Sequence, residues 1–217
     1  SGSGFVNAGN YREGTEPMQI ISGSYSNVKI HYEALPSARV AKEMKQFVEW
    51  YNSFETNGNM QKIIVKTAIT HLFFESIHPF EDGNGRIGRA LIEKCLSESL
   101  NRPVTLSVST VIENNRKLYY SELNKASYTL EINDWIVYFA QLLIDAQQNS
   151  INAINLSVQK TKFFDAHKDV LNKRQTKVLK KMIDNGADRF EGGMTTKKYV
   201  SITRASKATA TRDLQEL

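Results

Sequence analysis

The chain has 217 residues and an ordinary globular composition, with 41% hydrophobic and 24% charged residues and a net charge of +5. It has no apolar run of roughly 18 residues and no charged-then-apolar leader, so we expect neither a membrane partner nor a secretory signal. Its single cysteine, Cys95, excludes an internal disulfide and predicts a reducing, cytoplasmic compartment. Because Cys95 lies at helical spacing from Leu91 and Ile92, we expect a buried structural thiol.

The charge is unevenly distributed along the chain. Residues 171–217 hold 11 Lys and Arg against 5 Asp and Glu, whereas the rest of the chain is close to neutral. A basic segment after a neutral body favours two modules, of which the second has an acidic partner.

The first predicted element is a β-hairpin over residues 18–34, because short alternating stretches flank a group of turn residues there. The Ser-Gly repeat that opens the chain is typical of a flexible linker and is left out of the fold. From Ser37 the hydrophobic period becomes helical. The members of one helix face are Val40, Met44, Phe47, Val48 and Tyr51.

Helices dominate the rest of the chain. One is predicted to end at about Ile77, because Pro79 cannot continue it without losing a hydrogen bond, and the next runs from Gly85 to about Leu100. Further helices are predicted over 110–128, 134–148, 149–167, from Arg174 to Ile183, over Thr195–Val200 and over Ser206–Leu217. The expected fold class is all-α with one small β-hairpin, and the last helical pattern looks cut.

The most informative segment joins the second and third predicted helices. It reads His78-Pro79-Phe80-Glu81-Asp82-Gly83-Asn84-Gly85-Arg86-Ile87-Gly88-Arg89. The stretch from Asp82 to Gly85 is dense in residues that tolerate positive φ. Such a turn at a helix N-terminus can aim backbone N–H groups at an anion, and the helix dipole adds to the attraction.

The charged residues of this segment indicate a polyphosphate ligand. Arg86 and Arg89 lie three residues apart in the first helical turn, where cations oppose the helix dipole at about 0.3–1 kcal/mol each unless an anion binds. Asp82 offers a hard oxygen for Mg²⁺, and His78 can take a proton near neutral pH. A glycine-rich connection with solvated arginines explains Gly-Asn-Gly-Arg equally well, but it does not explain the full string.

This string resembles the Fic-family motif HPFx[D/E]GNGRxxR at every defined position. Three other segments support the resemblance. Gly9-Asn10-Tyr11-Arg12 is similar to the upstream GxYR segment, the hairpin at 18–34 takes the place of the family's flap, and Asn115-Arg116 with Tyr119-Tyr120 and Leu123 is similar to the downstream NRxxYYxxL element. The resemblance covers about residues 8–150 and implies a bacterial, cytoplasmic protein adenylyltransferase that uses ATP and Mg²⁺.

The resemblance also implies a role for each motif residue. His78 is the base that deprotonates the target hydroxyl, Asp82 holds the Mg²⁺ that bridges the α- and β-phosphates, and Phe80 fixes the loop by packing into the core. The remaining implied nucleotide contacts are Gly83, Asn84 and Gly85 as the anion hole, Arg86 and Arg89 on the β- and γ-phosphates, and Tyr120 and Leu123 beside the adenine. The flap at 18–34 would dock the protein target.

Fic proteins are commonly restrained by an inhibitory helix of pattern [S/T]xxxE[G/N], whose glutamate pairs with the second arginine, here Arg89. The segment Ser109–Asn114 fits that pattern literally, with Glu113 as the glutamate. We discount it because it falls where the family has the NRxxYY element, and we expect the inhibitory helix outside this sequence. For His71, which lies seven residues before His78, a satisfied core histidine is expected rather than a group that orients the loop.

The C-terminal helices resemble a winged helix-turn-helix that is truncated before the wing. Ser206–Leu214 would be its recognition helix, and the residues expected to contact DNA are Lys207, Thr209, Thr211 and Arg212. An accessory module that docks a protein or supports a homodimer is an equally good interpretation.

The expected organisation is a Fic core over residues 5–150, a connecting helix over 151–170 and the winged-helix module over 171–217. The expected function is transfer of AMP from ATP to a hydroxyl side chain of a protein. Two alternatives stay open: a DNA-binding regulator whose Fic fold senses nucleotide, and a Fic enzyme that removes AMP or transfers another nucleotide.

Overall fold

The protein divides into two compact units, Ser1–Ser150 and Ile151–Leu217. The division lies beside the boundary predicted at residue 150. The computed structural model describes residues 9–15, 18–22, 29–129, 131–185, 190 and 192–217. Within those ranges no helix is both long and apolar enough to cross a membrane.

The first unit begins with two short antiparallel strands, β1 (Gln19–Ser22) and β2 (Lys29–Glu33). Gln19 pairs with Glu33 and Ser22 pairs with Lys29, and the register shifts between Ile20 and Ile21. Both strands lie within the range predicted as a hairpin. Residues 23–28, which join them, lie outside the described residues.

The other regular elements among the described residues are mainly helices, joined by short connecting segments. In the first unit they are α1 (Ser37–Ser53), α2 (Met60–Ile77), α3 (Asn84–Leu100), α4 (Val108–Asn114), α5 (Arg116–Ser127) and the start of α6 (Asn133–Ala166). In the second unit α6 is followed by α7 (Lys173–Asn185), α8 (Thr196–Thr203) and α9 (Lys207–Gln215).

The structure differs from the predicted helices at two places. The helix predicted over 110–128 is divided at Asn115, whose φ of −129° and ψ of 38° end α4 and begin α5. The helices predicted over 134–148 and 149–167 are one continuous helix, α6. The polar stretch between them contains no Gly or Pro, so nothing there removes a helical hydrogen bond.

Helix α2 is buried on more than one face. Phe74 and Ile77 pack with residues of α1 in one hydrophobic cluster. Ala68 and Leu72 belong to a larger cluster that includes Trp135 of α6, whose indole Nε1–H donates to Ala68 O at 3.0 Å. Because both sides are covered, polar side chains of α2 are also enclosed.

Three of the enclosed polar groups of α2 have different surroundings. Thr67 donates to Sγ of Cys95, which is fully buried as predicted, at 3.4 Å. His71 lies 3.2 Å from Gly88 O through Nδ1 and 2.9 Å from Tyr119 Oη through Nε2, so it is the satisfied core histidine that was expected. Glu75 is buried without such partners, and it lies where α2 meets α3.

The second unit has its own small core, in which Val178, Tyr199 and Ala210 bring α7, α8 and α9 together. Asp213 of α9 is buried beside them and accepts hydrogen bonds from Arg174 Nε at 2.6 Å and Tyr199 Oη at 2.8 Å. These donors hold the pKa of Asp213 well below its usual range. The winged-helix assignment stays a prediction.

Gly88 allows α3 to approach α2 closely enough to enclose Glu75. A Cβ at Gly88 would lie 2.2 Å from Glu75 Oε1 and 3.3 Å from His71 Cε1. We therefore expect Gly88→Ala to lower the free energy of unfolding by about 1–3 kcal/mol, although alanine is favoured over glycine inside helices by about 1 kcal/mol.

Gly85→Ala is the matched control, measured by the same urea denaturation. Its Cβ would meet only the mobile end of the Arg89 side chain, at 3.2 Å. We expect a change of less than about 0.5 kcal/mol there. A Gly88→Ala variant as stable as the wild type would show that α2 and α3 can separate without cost.

Candidate active site

The loop between α2 and α3, residues 78–83, begins with a strained residue. His78 follows the last residue of α2 and has φ 50° and ψ 60°, in the left-handed region that few side chains adopt. Such strain persists where the surroundings enforce it and is common at functional sites. His78 is therefore held in a defined position at the end of a buried helix.

Arg12 provides much of this support. It is 5% exposed, and its side chain donates to the carbonyl oxygens of His78 at 2.8 Å and Ile77 at 3.3 Å. The same guanidinium donates to Leu35 O, just after β2, and the Arg12 backbone N–H donates to Pro79 O at 2.9 Å. Arg12 thus satisfies the carbonyls at the end of α2 and ties the segment after β2 to the loop.

Asn84 closes the other end of the loop. Its buried side chain donates from Nδ2 to Phe80 O at 2.6 Å, and its Oδ1 accepts from the Phe80 N–H at 2.9 Å. The Asn84 side chain is consequently occupied within the loop, and only its backbone N–H is left for the predicted anion hole. Phe80 packs against the cluster between α1 and α2, as expected.

A pocket of about 390 Å³ opens beside this loop, a size that suits a small-molecule ligand. Most of the predicted site residues line it, and α4 and α5 supply the opposite wall. The lining residues are His78, Glu81, Asp82, Gly83, Asn84, Gly85, Arg86, Arg89, Ser109, Ile112, Glu113, Arg116 and Tyr120.

The pocket has a strongly cationic floor at the start of α3. Gly83 has φ 86° and precedes the helix, so the first backbone N–H groups of α3 have no acceptor inside the helix. Arg86 is exposed and pairs with Asp82 at 3.1 Å, whereas Arg89 is half-buried at the inner side of the pocket. This arrangement favours an anion with several negative charges.

One predicted nucleotide contact lies elsewhere. Leu123 is 2% exposed and belongs to the hydrophobic core, whereas Tyr120 lines the pocket as predicted. Leu123 lies one helical turn after the buried Tyr119 and therefore on the same face of α5. Tyr120 comes directly after Tyr119, so its side chain points in a different direction from α5 and lines the pocket.

The discounted segment Ser109–Asn114 contributes two residues to the pocket wall, Ser109 and Glu113. Glu113 is exposed, and its Oε2 lies 3.6 Å from Nε of Arg116, the first residue of α5, rather than forming an ion pair with Arg89. The position of Ser109 and Arg116 in the wall was not anticipated from the sequence, since only the folding of α4 and α5 over the loop brings them there.

Burial sets the protonation state of the two titratable groups at the end of α2. Burial lowers the pKa of His78 to about 4, and the charge of Arg12 acts in the same direction. Burial also raises the pKa of Glu75 to about 7, against the opposing effect of Arg89. His78 is therefore neutral at pH 7 and able to accept a proton, while Glu75 titrates near neutrality.

A magnesium ion in this pocket would depend on few protein ligands. Among the described residues there is no group of three or more His, Cys, Asp or Glu side chains able to hold a metal. The exposed carboxylate of Asp82 fits Mg²⁺ all the same, because this ion commonly uses one or two carboxylates together with phosphate oxygens. The metal would then arrive with its phosphate ligand.

Comparison with known proteins agrees with the sequence motif. Residues 4–96 match the model of the Fic/DOC family. A probable protein adenylyltransferase of Aquifex aeolicus is 34% identical over 91 residues, which is 42% of this chain and 25% of that protein. A protein adenylyltransferase of Caenorhabditis elegans is 30% identical over 139 residues, 64% of this chain and 24% of that protein.

A solved structure shares the fold. The crystal structure of a Fic family protein from Desulfovibrio desulfuricans aligns with 99% of this chain and 57% of its own, with a TM-score of 0.51 and 22% identity. The chain spans about a quarter of the length of the curated relatives it matches.

The raised pKa of Glu75 makes the stability of the protein depend on pH. Because the folded state binds the proton of Glu75 more tightly than the unfolded state, this proton adds to the free energy of unfolding. The contribution is complete below the ordinary pKa of 4.5 and is lost as the pH rises through about 7. Glutamine mimics the protonated form at every pH. We therefore expect Glu75→Gln to be more stable than the wild type at pH 8, by up to about 3 kcal/mol.

Urea denaturation of both proteins at pH 5, 6, 7 and 8 measures this difference. The free energies of unfolding of the two proteins should converge toward pH 5. A constant difference across this range would mean that Glu75 has an ordinary pKa.

Proposed function

We propose that this protein transfers AMP from ATP to a hydroxyl side chain of a protein target, with His78 as the general base. The observation that carries the proposal is the meeting, in one pocket, of a neutral histidine with the cationic start of α3. The Fic/DOC match over residues 4–96 and the names of the relatives support the same reaction.

The reaction needs a proton acceptor beside the α-phosphate. The target oxygen attacks the α-phosphorus, the bond from that phosphorus to the oxygen bridging the α- and β-phosphates breaks, and pyrophosphate leaves. His78 takes the hydroxyl proton: burial lowers its pKa, so the imidazole is unprotonated at neutral pH, and its backbone is held in one conformation. Because the chemistry of phosphoryl transfer is mostly positioning and charge stabilisation, the rest of the pocket binds the phosphates.

The start of α3 supplies that binding. Backbone N–H groups of Gly85 and its neighbours face the phosphates, and Arg86 and Arg89 add charge-assisted hydrogen bonds to the β- and γ-phosphates. Tyr120 borders the adenine from α5. Asp82, which pairs with Arg86 at 3.1 Å, would hold Mg²⁺, and the ion would supply charge that neutralises the phosphates.

The target is proposed to dock on the β1–β2 hairpin. An exposed strand edge can pair with an extended segment of the target through backbone hydrogen bonds and makes little demand on its sequence. Arg12 joins the segment after β2 to the loop that carries His78, so a target bound there would lie close to the base.

A DNA-binding regulator that senses nucleotide is the second candidate, and α9 is the observation that favours it. Lys207, Thr211 and Arg212 are exposed on α9, whereas Thr209 is half-buried, and its backbone N–H is capped by Ser206. Sensing needs no proton acceptor, however, and His78 is kept neutral and strained beside the pocket.

A Fic enzyme that removes AMP or transfers another nucleotide is the remaining alternative. Incorporation of label from a panel of labelled nucleotides into protein distinguishes these reactions from AMP transfer.

We expect His78→Ala to lower the incorporation of AMP from α-labelled ATP by at least about 100-fold, because the base is lost. The affinity for ATP should stay within about threefold, since His78 acts on the acceptor rather than on the phosphates. His167→Ala, in the second unit, is the matched control. An equal loss of ATP affinity would assign a binding role to His78 and contradict its role as base.

We expect Arg89→Ala to weaken ATP binding by about 10-fold to 100-fold, because a charge-assisted contact contributes about 1.5–3 kcal/mol. Binding of AMP, which has no β- or γ-phosphate, should change by less than about threefold. Titration calorimetry measures both, with Arg102→Ala at an exposed position after α3 as the control. Equal losses for ATP and AMP would place Arg89 away from the terminal phosphates.

A further inference from the structure

Two buried polar atoms at the end of α2 have no hydrogen-bond partner within the described residues, His78 Nδ1 and Glu75 Oε1. His78 Nδ1 lies 3.8 Å from the other oxygen of the same carboxylate, Glu75 Oε2. An unsatisfied buried polar group costs about 1–3 kcal/mol, so a closer contact with this carboxylate would relieve His78 Nδ1.

We infer that Glu75 is a positioning residue for His78: its carboxylate accepts a hydrogen bond from His78 Nδ1–H and leaves Nε2 to take the proton from the target hydroxyl. The inference deepens the proposed function and rests on it. At 3.8 Å the contact is longer than a hydrogen bond, and catalytic hydrogen bonds commonly tighten only when substrate binds.

The Glu75 side chain has little room to turn its carboxylate away from His78. Glu75 lies in the last turn of α2, three residues before His78, and its side chain is 5% exposed. On the α3 side, Gly88 leaves just enough space for Oε1, which an added Cβ would meet at 2.2 Å. The Glu75 side chain is thus confined between α2 and α3.

The charges around Glu75 favour this role. Arg89 from α3 stabilises the carboxylate, while His71 from α2 and Tyr119 from α5 are neutral and occupied with each other. On the other side of His78, Arg12 opposes a positive imidazolium. When His78 accepts the proton, the carboxylate of Glu75 is therefore the nearby negative charge that offsets Arg12.

The backbone carbonyl of Glu75 is a second acceptor close to His78, and it raises the pKa of the imidazole. Glu75→Gln leaves that carbonyl and the side-chain shape in place, removes the charge and replaces one acceptor oxygen by an N–H donor. The variant therefore tests the carboxylate rather than the packing of α2.

With AMP incorporation as the assay, we expect Glu75→Gln to lower kcat by about 10-fold to 100-fold and to change KM for ATP by less than about threefold. Glu75→Asp, which keeps the charge on a shorter side chain, should regain part of the loss. Glu49→Gln at an exposed position on α1 should behave as the wild type. Wild-type kcat in Glu75→Gln, or a loss confined to KM, would overturn the inference.

A second measurement is independent of catalysis. The chain has four histidines, so the imidazole ¹⁵N resonances of His78 can be assigned with His78→Ala. In the wild type they should shift as the pH crosses about 7, where Glu75 titrates, and they should stay constant in Glu75→Gln. Resonances that do not move in the wild type, or that move equally in the variant, would overturn the inference. A wild-type protein that incorporates no AMP but shows this shift would refute the proposed function alone.

Discussion

Helix α2 has to end inside the protein, and most of the pocket follows from that constraint. The last carbonyls of a helix have no partner within it, and burial makes an unpaired carbonyl costly. Arg12 meets that need with one buried guanidinium that contacts Ile77 and His78, and it also reaches the backbone after β2. The same contacts hold His78 in its left-handed conformation and aim the chain toward the start of α3.

The electrostatics of the pocket depend on the same burial. His78 loses its charge because the end of α2 is shielded from water and because Arg12 is close. Glu75 is enclosed by the approach of α3 at Gly88, which raises its pKa toward neutrality. The protein therefore keeps an incompletely satisfied pair of titratable groups where a stability-optimised core would hold apolar side chains. Such a cost is common at sites that perform chemistry.

The phosphate side of the pocket is built from simpler parts. A glycine with positive φ starts α3, the first N–H groups of the helix lack acceptors, and two arginines lie one helical turn apart. The wall formed by α4 and α5 completes the pocket with Tyr120 and Arg116. The second unit has a separate core around Tyr199 and an ion pair between the exposed Arg174 and the buried Asp213, so it does not depend on the pocket for its packing.

The sequence by itself determined the helical class, the connection between α2 and α3 at residues 78–83 and the charges that flank it, because periodicity, glycine positions and charge spacing act over a few neighbouring residues. The tertiary structure alone decided that Glu75 faces His78, that Asn84 uses its side chain to close the loop, and that Leu123 points into the core while Arg116 reaches the pocket. It also decided that α6 is continuous. These outcomes depend on which helix faces meet and how closely, and such contacts join residues far apart in the chain, so local patterns carry no record of them.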